Sequence, residues 1–220
     1  MRTQTKEIQE HLTPDDAHRI LVEGNRRFVQ NVKAQRDLKQ QVVSTSTGQY
    51  PFAVILSCID SRVPAELVFD QGIGDIFSVR IAGNVVNSDI LGSMEFACKL
   101  AGSKIVVVMG HTRCGAVNGA CKHVEMGNLT PLLRKIQPSV SIVIKDGEEV
   151  TQPMVESVAI ENVKHAIHEI REKSAILAEM EKNKEIEIVG AMYSVETGII
   201  TFFDENDEVT VDDIIAHQEL

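Results

Sequence analysis

The sequence predicts an α/β fold: a mainly parallel β-sheet flanked by helices, with a C-terminal antiparallel edge strand. Two short apolar runs, Phe52-Ala-Val-Ile-Leu56 and Ile105-Val-Val-Val-Met-Gly110, are continuous rather than alternating, as strands covered on both faces require. Helical patterns separate most of the strand-like segments, the alternation that builds a parallel sheet with crossover helices. With 220 residues, 43% apolar and 25% charged, the chain can bury a sizeable core without disulfide staples. No internal repeat, low-complexity block or Pro/Ser-rich linker divides it, so residues 1–220 are expected to form a single domain.

The elements follow in order. Thr13 reads as an N-cap, with Pro14 at the first helical position and Asp15 and Asp16 against the positive end of the helix dipole. The helix runs to about Val29, with Ala17, Ile20, Leu21, Phe28 and Val29 as its apolar stripe. A polar stretch follows, with a second helix over 33–44. Strands are expected over 52–56, 75–80, 105–110, 186–193 and 198–203, and helices over 89–100, 116–126 and 153–182. The turn-like Val195-Glu-Thr-Gly198 is too short for a crossover, so the last two strands should pair as an antiparallel hairpin. A helix over 211–220 closes the chain.

Charge and composition exclude several classes of partner. Lys and Arg number 22 against 32 Asp and Glu, a net charge of -10 that repels nucleic acid and anionic lipid. With no Trp and two Tyr, little is available for stacking on bases. The N-terminal segment MRTQTKEIQEHLTPDD has no apolar core of a secretory signal, and the apolar runs fall far short of the ~20 residues of a membrane span. Four cysteines in such a chain suggest a reducing compartment. The expectation is a cytoplasmic protein with no membrane or nucleic-acid partner.

Two strands end in metal-type residues, at the sheet edge where sites of this fold class collect. The first runs into Ser57-Cys58-Ile59-Asp60-Ser61-Arg62 and the third into Gly110-His111-Thr112-Arg113-Cys114-Gly115. If those strands are neighbours, Cys58, His111 and Cys114 converge, and two thiolates with one imidazole suit zinc. Three protein ligands leave a fourth position open, the mark of a catalytic ion. Two thiolates cancel the ion's charge and weaken it as a Lewis acid, so acidifying a water needs help. Asp60 could accept that proton or hold the O–H, and Arg62 could fork onto the carboxylate. In an extended segment residues 58, 60 and 62 share a side. Two plainer readings stand beside this one. A strand-end Cys often only packs, and Asp60 as fourth ligand would give a closed, structural zinc.

Cys58-Ile-Asp-Ser-Arg-Val-Pro-Ala-Glu66, Arg80-Ile-Ala-Gly-Asn84 and Gly110-His-Thr-Arg-Cys-Gly-Ala116 together resemble the β-class carbonic anhydrases, in identity and in order. The resemblance extends from about Leu21 through Tyr193. It implies one zinc per subunit on Cys58, His111 and Cys114, and a catalytic pair of Asp60 and Arg62. The implied reaction is reversible hydration of carbon dioxide to bicarbonate and a proton by zinc-bound hydroxide. It also implies a homodimer as the smallest active unit, which could assemble further into a tetramer, with residues 1–46 as a helical arm on the partner. Gln49 would then hydrogen-bond substrate from the neighbouring subunit, and Phe77 and Phe96 would line the pocket. Gly115 would offer its backbone N–H to substrate. Without the resemblance, Gln49 reads as a solvated loop residue, the two phenylalanines as core, and Gly115 as the end of a turn. A regulated branch of the family has a Trp three residues before the first zinc Cys. Ile55 stands there instead, which makes bicarbonate inhibition doubtful although Arg80 and Tyr193 match the other two members of that site. Arg80 is expected to make a structural ion pair.

Other functions for the same residues remain. The scaffold could hydrolyse carbon disulfide or carbonyl sulfide, whose electrophilic carbon is alike, or serve as a non-catalytic zinc-stabilised assembly module. Cys98 reads as a packed small residue, Cys121 and His123 as poor co-ligands, and His165 and His168 as part of a solvated helix face. The acidic run 204–208 reads as a solvated turn.

Overall fold

The computed structural model describes residues 3–145 and 147–215. Helix α2 (Pro14–Val29) starts where its cap chemistry places it. The Thr13 hydroxyl accepts the Asp16 N–H at 3.1 Å while the Asp16 carboxylate accepts the Thr13 N–H at 3.1 Å, a reciprocal capping box. A short helix the sequence pattern did not announce, α1 (Lys6–His11), precedes it. Helix α3 (Leu38–Thr45) begins later than expected, on the side chain of Asp37.

Strands β1 (Ala53–Ser57), β2 (Ile76–Arg80), β3 (Ile105–His111), β4 (Glu187–Tyr193) and β5 (Ile200–Phe203) form, among the described residues, one sheet ordered β2-β1-β3-β4-β5. Neighbours pair in parallel except β4 with β5, which form the antiparallel edge hairpin. Between strands run α4 (Ala65–Val68), α5 (Ser88–Glu95), α6 (Gly115–Cys121), α7 (Leu129–Leu133), α8 (Gln137–Val143), α9 (Gln152–Lys173) and α10 (Ala175–Lys182). Helix α11 (Val211–Ile215) covers the start of the closing helix; the remainder of 211–220 lies outside the described residues. No helix among the described residues is long and apolar enough to cross a membrane.

Three helices depart from the sequence reading. The helix expected over 89–100 starts on an Asn87 cap and widens into a π-helical turn at Phe96–Leu100. The one over 116–126 stops at Cys121. The long helix over 153–182 breaks at Ser174, whose backbone is extended and whose hydroxyl accepts the Leu177 N–H to cap α10. Apolar periodicity runs through that break because Ser serves as a cap without disturbing the stripe on either side.

Both faces of the sheet are covered, and successive side chains divide between them. Val54, Leu56, Val106 and Val108 pack into one layer with α5, α6, α9 and α10. Ala53, Ile55, Ile105, Val107 and Met109 face the other, against Ala17 and Leu21 of α2 and Val68 and Phe69. Helix α9 approaches the sheet across two glycines. A Cβ on Gly110 would stand 2.8 Å from Val163 Cγ2, and one on Gly190 2.9 Å from Val163 Cγ1, so any side chain there would push the helix away. Strand β2 is an edge, with exposed Ser78 and Arg80 alternating with half-buried Phe77 and Val79.

Polar contacts tie α2 to its own sheet. Asn25 Nδ2 donates to Val68 O at 3.0 Å and Gly198 O at 2.8 Å, and its Oδ1 accepts the Ile200 N–H at 2.9 Å. Asp70, only 4% exposed, accepts from Arg27 Nε and Arg36 Nη1, both at 2.6 Å, and from the Ala34 N–H at 3.0 Å. Burial alone would raise the Asp70 pKa, but these donors outweigh it and hold the carboxyl below its usual value. Asp70→Asn is therefore expected to lose about 3 kcal/mol of unfolding free energy at neutral pH, because two arginines keep a buried site without its anion. A depressed carboxyl contributes stability above its unfolded pKa, near 3.8, and loses it as pH falls through the lower folded value. Urea unfolding of both proteins should thus give a gap that is full at pH 7 and narrows below about pH 4; a gap that persists undiminished in acid would contradict this account.

Candidate metal centre

Strands β1 and β3 are parallel neighbours with Ser57 level with Met109, so both chains leave the sheet at the same edge. In the order β2-β1-β3 the chain departs from β1 to one side and returns on the other. The crevice between these two strand ends is a topological switch point, where open α/β sheets place their sites. Cys58 follows β1 directly, His111 is the last residue of β3, and Cys114 precedes α6 after a turn in which Arg113 takes a left-handed φ of 54°. The two sulfurs and an imidazole nitrogen lie within 4.8 Å of one another, and all three residues are buried.

Several features fit a bound cation. His111 Nδ1 lies 2.9 Å from the Thr112 carbonyl, which can only accept, so Nδ1 carries the proton and Nε2 a lone pair. That Nε2 is buried without a hydrogen-bond partner, an expensive arrangement unless the lone pair is donated to a metal. The Cys58 thiol is pulled well down, first by the Cys114 thiol donating to it, against the opposing effect of burial. Cys114 is pushed up by the Cys58 sulfur and then by burial, while the Ala116 and Val117 amides at the start of α6 pull it the other way. The Gly83 N–H donates to Cys58 Sγ at 3.4 Å, a contact that favours the thiolate. A divalent ion held there would accept lone pairs from both sulfurs and from the imidazole nitrogen. Two sulfurs and one imidazole nitrogen are donors for a borderline-soft ion, not for magnesium or calcium.

Asp60 stands beside this group, with Oδ2 3.9 Å from His111 Nε2. Arg62 holds the carboxylate by both oxygens: Nε donates to Oδ1 at 2.9 Å and Nη2 to Oδ2 at 2.7 Å. The Arg62 N–H also donates to Oδ1 at 2.9 Å, and the Val63 N–H donates to the Asp60 carbonyl at 3.1 Å. The pair therefore meets across a tight turn, not along an extended segment with residues 58, 60 and 62 on one side; Asp60 supplies the side-chain acceptor that such a turn uses. The Arg62 guanidinium holds the Asp60 carboxyl far below its usual range, with burial opposing. Among the described residues Arg80 makes no ion pair of the expected kind. Its Nε donates to the Cys58 carbonyl at 2.9 Å and its Nη2 to the Asp60 carbonyl at 2.6 Å, so it braces the backbone of the loop. Neither this nor Gly83 follows from the sequence, because both act through main-chain atoms.

The remaining residues singled out from the sequence stand at different places relative to the metal group. Gly115 adjoins it as the exposed first residue of α6, with open space where a Cβ would be. Phe77 and Phe96 meet edge to face, ring centres 6.1 Å apart, in a surface groove with Val79 and Ser93. Phe96 is 51% exposed, so it is not the core residue its helical spacing suggests. Exposed Gln49 lies before β1, with Gln9, Tyr50 and Gly102, at the opposite sheet edge from Cys58. A cavity of about 1080 Å³ between α1 and α3 is likewise remote from the metal group. Cys98 is buried and its thiol is pushed up to about 12 by burial, as a packed thiol would be.

Comparison with known proteins agrees with this geometry. A family model described as carbonic anhydrase matches residues 53–200. Carbonic anhydrase 2 of Mycobacterium tuberculosis is 35% identical over 194 residues, spanning 84% of this chain and 90% of the relative. A carbonic anhydrase of Mycolicibacterium smegmatis is 32% identical over 188 residues, spanning 84% and 91%. The crystal structure of a β-carbonic anhydrase of Aspergillus fumigatus superposes with a TM-score of 0.70 at 25% identity, covering 81% of this chain and 86% of that one.

The centre makes a direct prediction about metal content. Purified protein should carry about one divalent ion per chain by elemental analysis, and His111→Ala or Cys58→Ala should reduce that to a small fraction. Chelation should lower Tm, because an ion bound only by the folded chain stabilises it. Full occupancy in His111→Ala would remove the orphaned nitrogen from the argument.

Proposed function

This chain belongs to the β-carbonic anhydrase family and is a carbonate dehydratase, and on that premise we propose that it interconverts carbon dioxide and bicarbonate at a zinc ion held by Cys58, His111 and Cys114. The single observation that carries the proposal is the Asp60–Arg62 fork standing 3.9 Å from an otherwise unpartnered imidazole nitrogen. When bound, zinc would supply Lewis acidity that makes a water nucleophilic near neutral pH. The residues of the chain do the rest. Both Asp60 oxygens accept from Arg62, so the carboxylate stays ionised and serves as a fixed hydrogen-bond acceptor that orients the reacting O–H. A carboxyl held so low is a poor proton carrier, and the released proton leaves by another route.

The substrate pocket is proposed to be completed by a second copy of the chain. Gln49 cannot reach the metal group of its own subunit from the opposite sheet edge, and Phe96 is half exposed on a groove beside edge strand β2. Both features support a homodimer in which Gln49 reaches the partner's substrate and Phe77, Phe96 and the Gly115 N–H line the pocket. Within residues 1–46, expected as an arm on the partner, α2 packs on its own sheet, and only α3 is proposed to dock on the partner, through the exposed Leu38, Val42 and Val43, in one domain of residues 1–220. Pairing of dimers into tetramers is compatible with the same faces. The buried, unpaired thiols of Cys58, Cys98, Cys114 and Cys121 support a reducing, cytoplasmic location.

Stopped-flow carbon dioxide hydration by zinc-loaded protein should give a rate well above buffer, and Asp60→Asn should lose about 10²-fold in kcat without losing zinc. Absence of turnover at full occupancy, with carbonyl sulfide consumed instead, would move the reading to a sulfur substrate. A mixing experiment tests the shared pocket. Gln49→Ala and Asp60→Asn chains, each impaired alone, should regain about a quarter of wild-type activity when unfolded together and refolded at equal amounts, since half the dimers then hold one intact site. No recovery would place Gln49 outside the partner's site.

A further inference from the structure

Helix α9 buries an apolar stripe that includes Val155, Val158, Ala159, Val163 and Ile167, and two polar residues interrupt it. Glu156 is 5% exposed and Asn162 is 2% exposed. Buried polar groups need partners, and theirs are backbone groups beside the metal ligands: one in the turn between His111 and Cys114, the other in the turn after β2 whose N–H meets Cys58. Both Glu156 oxygens accept the Arg113 N–H, at 3.0 and 3.2 Å, and Gln152 Nε2 donates to Oε1 at 2.6 Å to hold the carboxylate in place. Arg113 lies between His111 and Cys114 with φ of 54°, a conformation a non-glycine residue keeps only when its surroundings impose it. Its guanidinium is tied in turn to Glu196 at 2.6 Å. On the other side, Asn162 Nδ2 donates to the Gly83 carbonyl at 2.8 Å, and Gly83 is the residue whose N–H meets Cys58 Sγ. Gly83 has φ of 67°, and a Cβ there would stand 2.7 Å from Ile136 Cδ1, so this bridge accepts no other residue without displacement.

We propose that Glu156 and Asn162 are positioning residues of the metal centre: through the Arg113 N–H and the Gly83 carbonyl, α9 fixes the separation between Cys58 and the His111–Cys114 turn. The ligands come from different loops, whereas a metal site tolerates only about 0.2 Å of error in its bonds. One rigid helix, seated on the sheet over Gly110 and Gly190, references both loops to the same frame. Outer hydrogen bonds of this kind typically change metal affinity or activity by about 10–100-fold when removed.

The inference rests on the metal-centre reading, and the test separates the two. Zinc release into excess chelator and the Tm of metal-loaded and metal-free protein are measured for wild type, Glu156→Met, Glu156→Gln and Asn162→Leu, with His168→Ala on the exposed face of α9 as control. A wild type that takes up no zinc and gains no Tm from it would overturn the metal reading itself. With that reading intact, Glu156→Met fills the same space and keeps the helix but offers no acceptor. It should release zinc about 10-fold faster or more, with a smaller Tm gain on loading than wild type whatever the change in metal-free Tm. Glu156→Gln keeps one acceptor oxygen and should fall between it and wild type, while Asn162→Leu should speed release through the Cys58 arm. If Glu156→Met does not fold, Glu156→Gln decides alone: release a few-fold faster supports the proposal, and wild-type release overturns it. A lowered metal-free Tm with release and loading gain as in wild type or His168→Ala would make these residues supports of the helix only and sink the idea.

Discussion

Parallel pairing of β1 with β3, Ser57 level with Met109, sets the position of everything that touches the metal group. It brings Cys58, just past the end of β1, and His111, the last residue of β3, to one edge of the sheet although they are distant in sequence. A register slip of one residue would exchange the two faces of β1, sending Val54 and Leu56 into the layer built for Ala53 and Ile55. The two covered faces therefore protect the alignment of the centre. Core packing and site geometry are the same constraint seen from the sheet and from its edge.

The centre concentrates groups that are unfavourable together without a cation: two sulfurs, a buried imidazole lone pair and a carboxylate beside them. The backbone supplies much of what makes this tolerable. Gly83 donates to Cys58, while Arg80 engages the Cys58 and Asp60 carbonyls and keeps the loop closed. The Asp60–Arg62 pair belongs to a different class of contact. With the Arg62 side chain 49% exposed, such a pair contributes at most about 1 kcal/mol to stability. Its worth lies in orientation, since a bidentate guanidinium fixes both oxygens of the carboxylate. By contrast, buried Asp70, with half-buried Arg27 and Arg36 on it, ties α2 to the segment between α4 and β2.

The surfaces left open by one chain divide along the same lines. Strand β2 is the terminal strand of the sheet, Phe96 projects from a π-helical turn, and α3 exposes Leu38, Val42 and Val43. An edge strand and apolar side chains in this state are features a second subunit would cover. The metal group, by comparison, is assembled wholly within one chain.

The amino-acid sequence by itself determined the α/β class, the five strands, the hairpin at the C-terminal edge, the capped start of α2 and the residues of the metal group. Each of these leaves a local mark: a continuous apolar run, a Thr-Pro-Asp-Asp cap, or Cys and His directly after a strand. Tertiary structure alone decided the strand order, the break at Ser174, the tight turn that joins Asp60 to Arg62, and the use of Arg80 on carbonyl groups. Glu156 and Asn162 left one trace in the sequence, polar residues on an otherwise apolar helical stripe, but nothing to name their partners. The physical reason is common to all of these cases. Their partners are backbone groups distant along the chain, and a backbone N–H or carbonyl is the same at every residue, so no side-chain pattern can announce which one will be met.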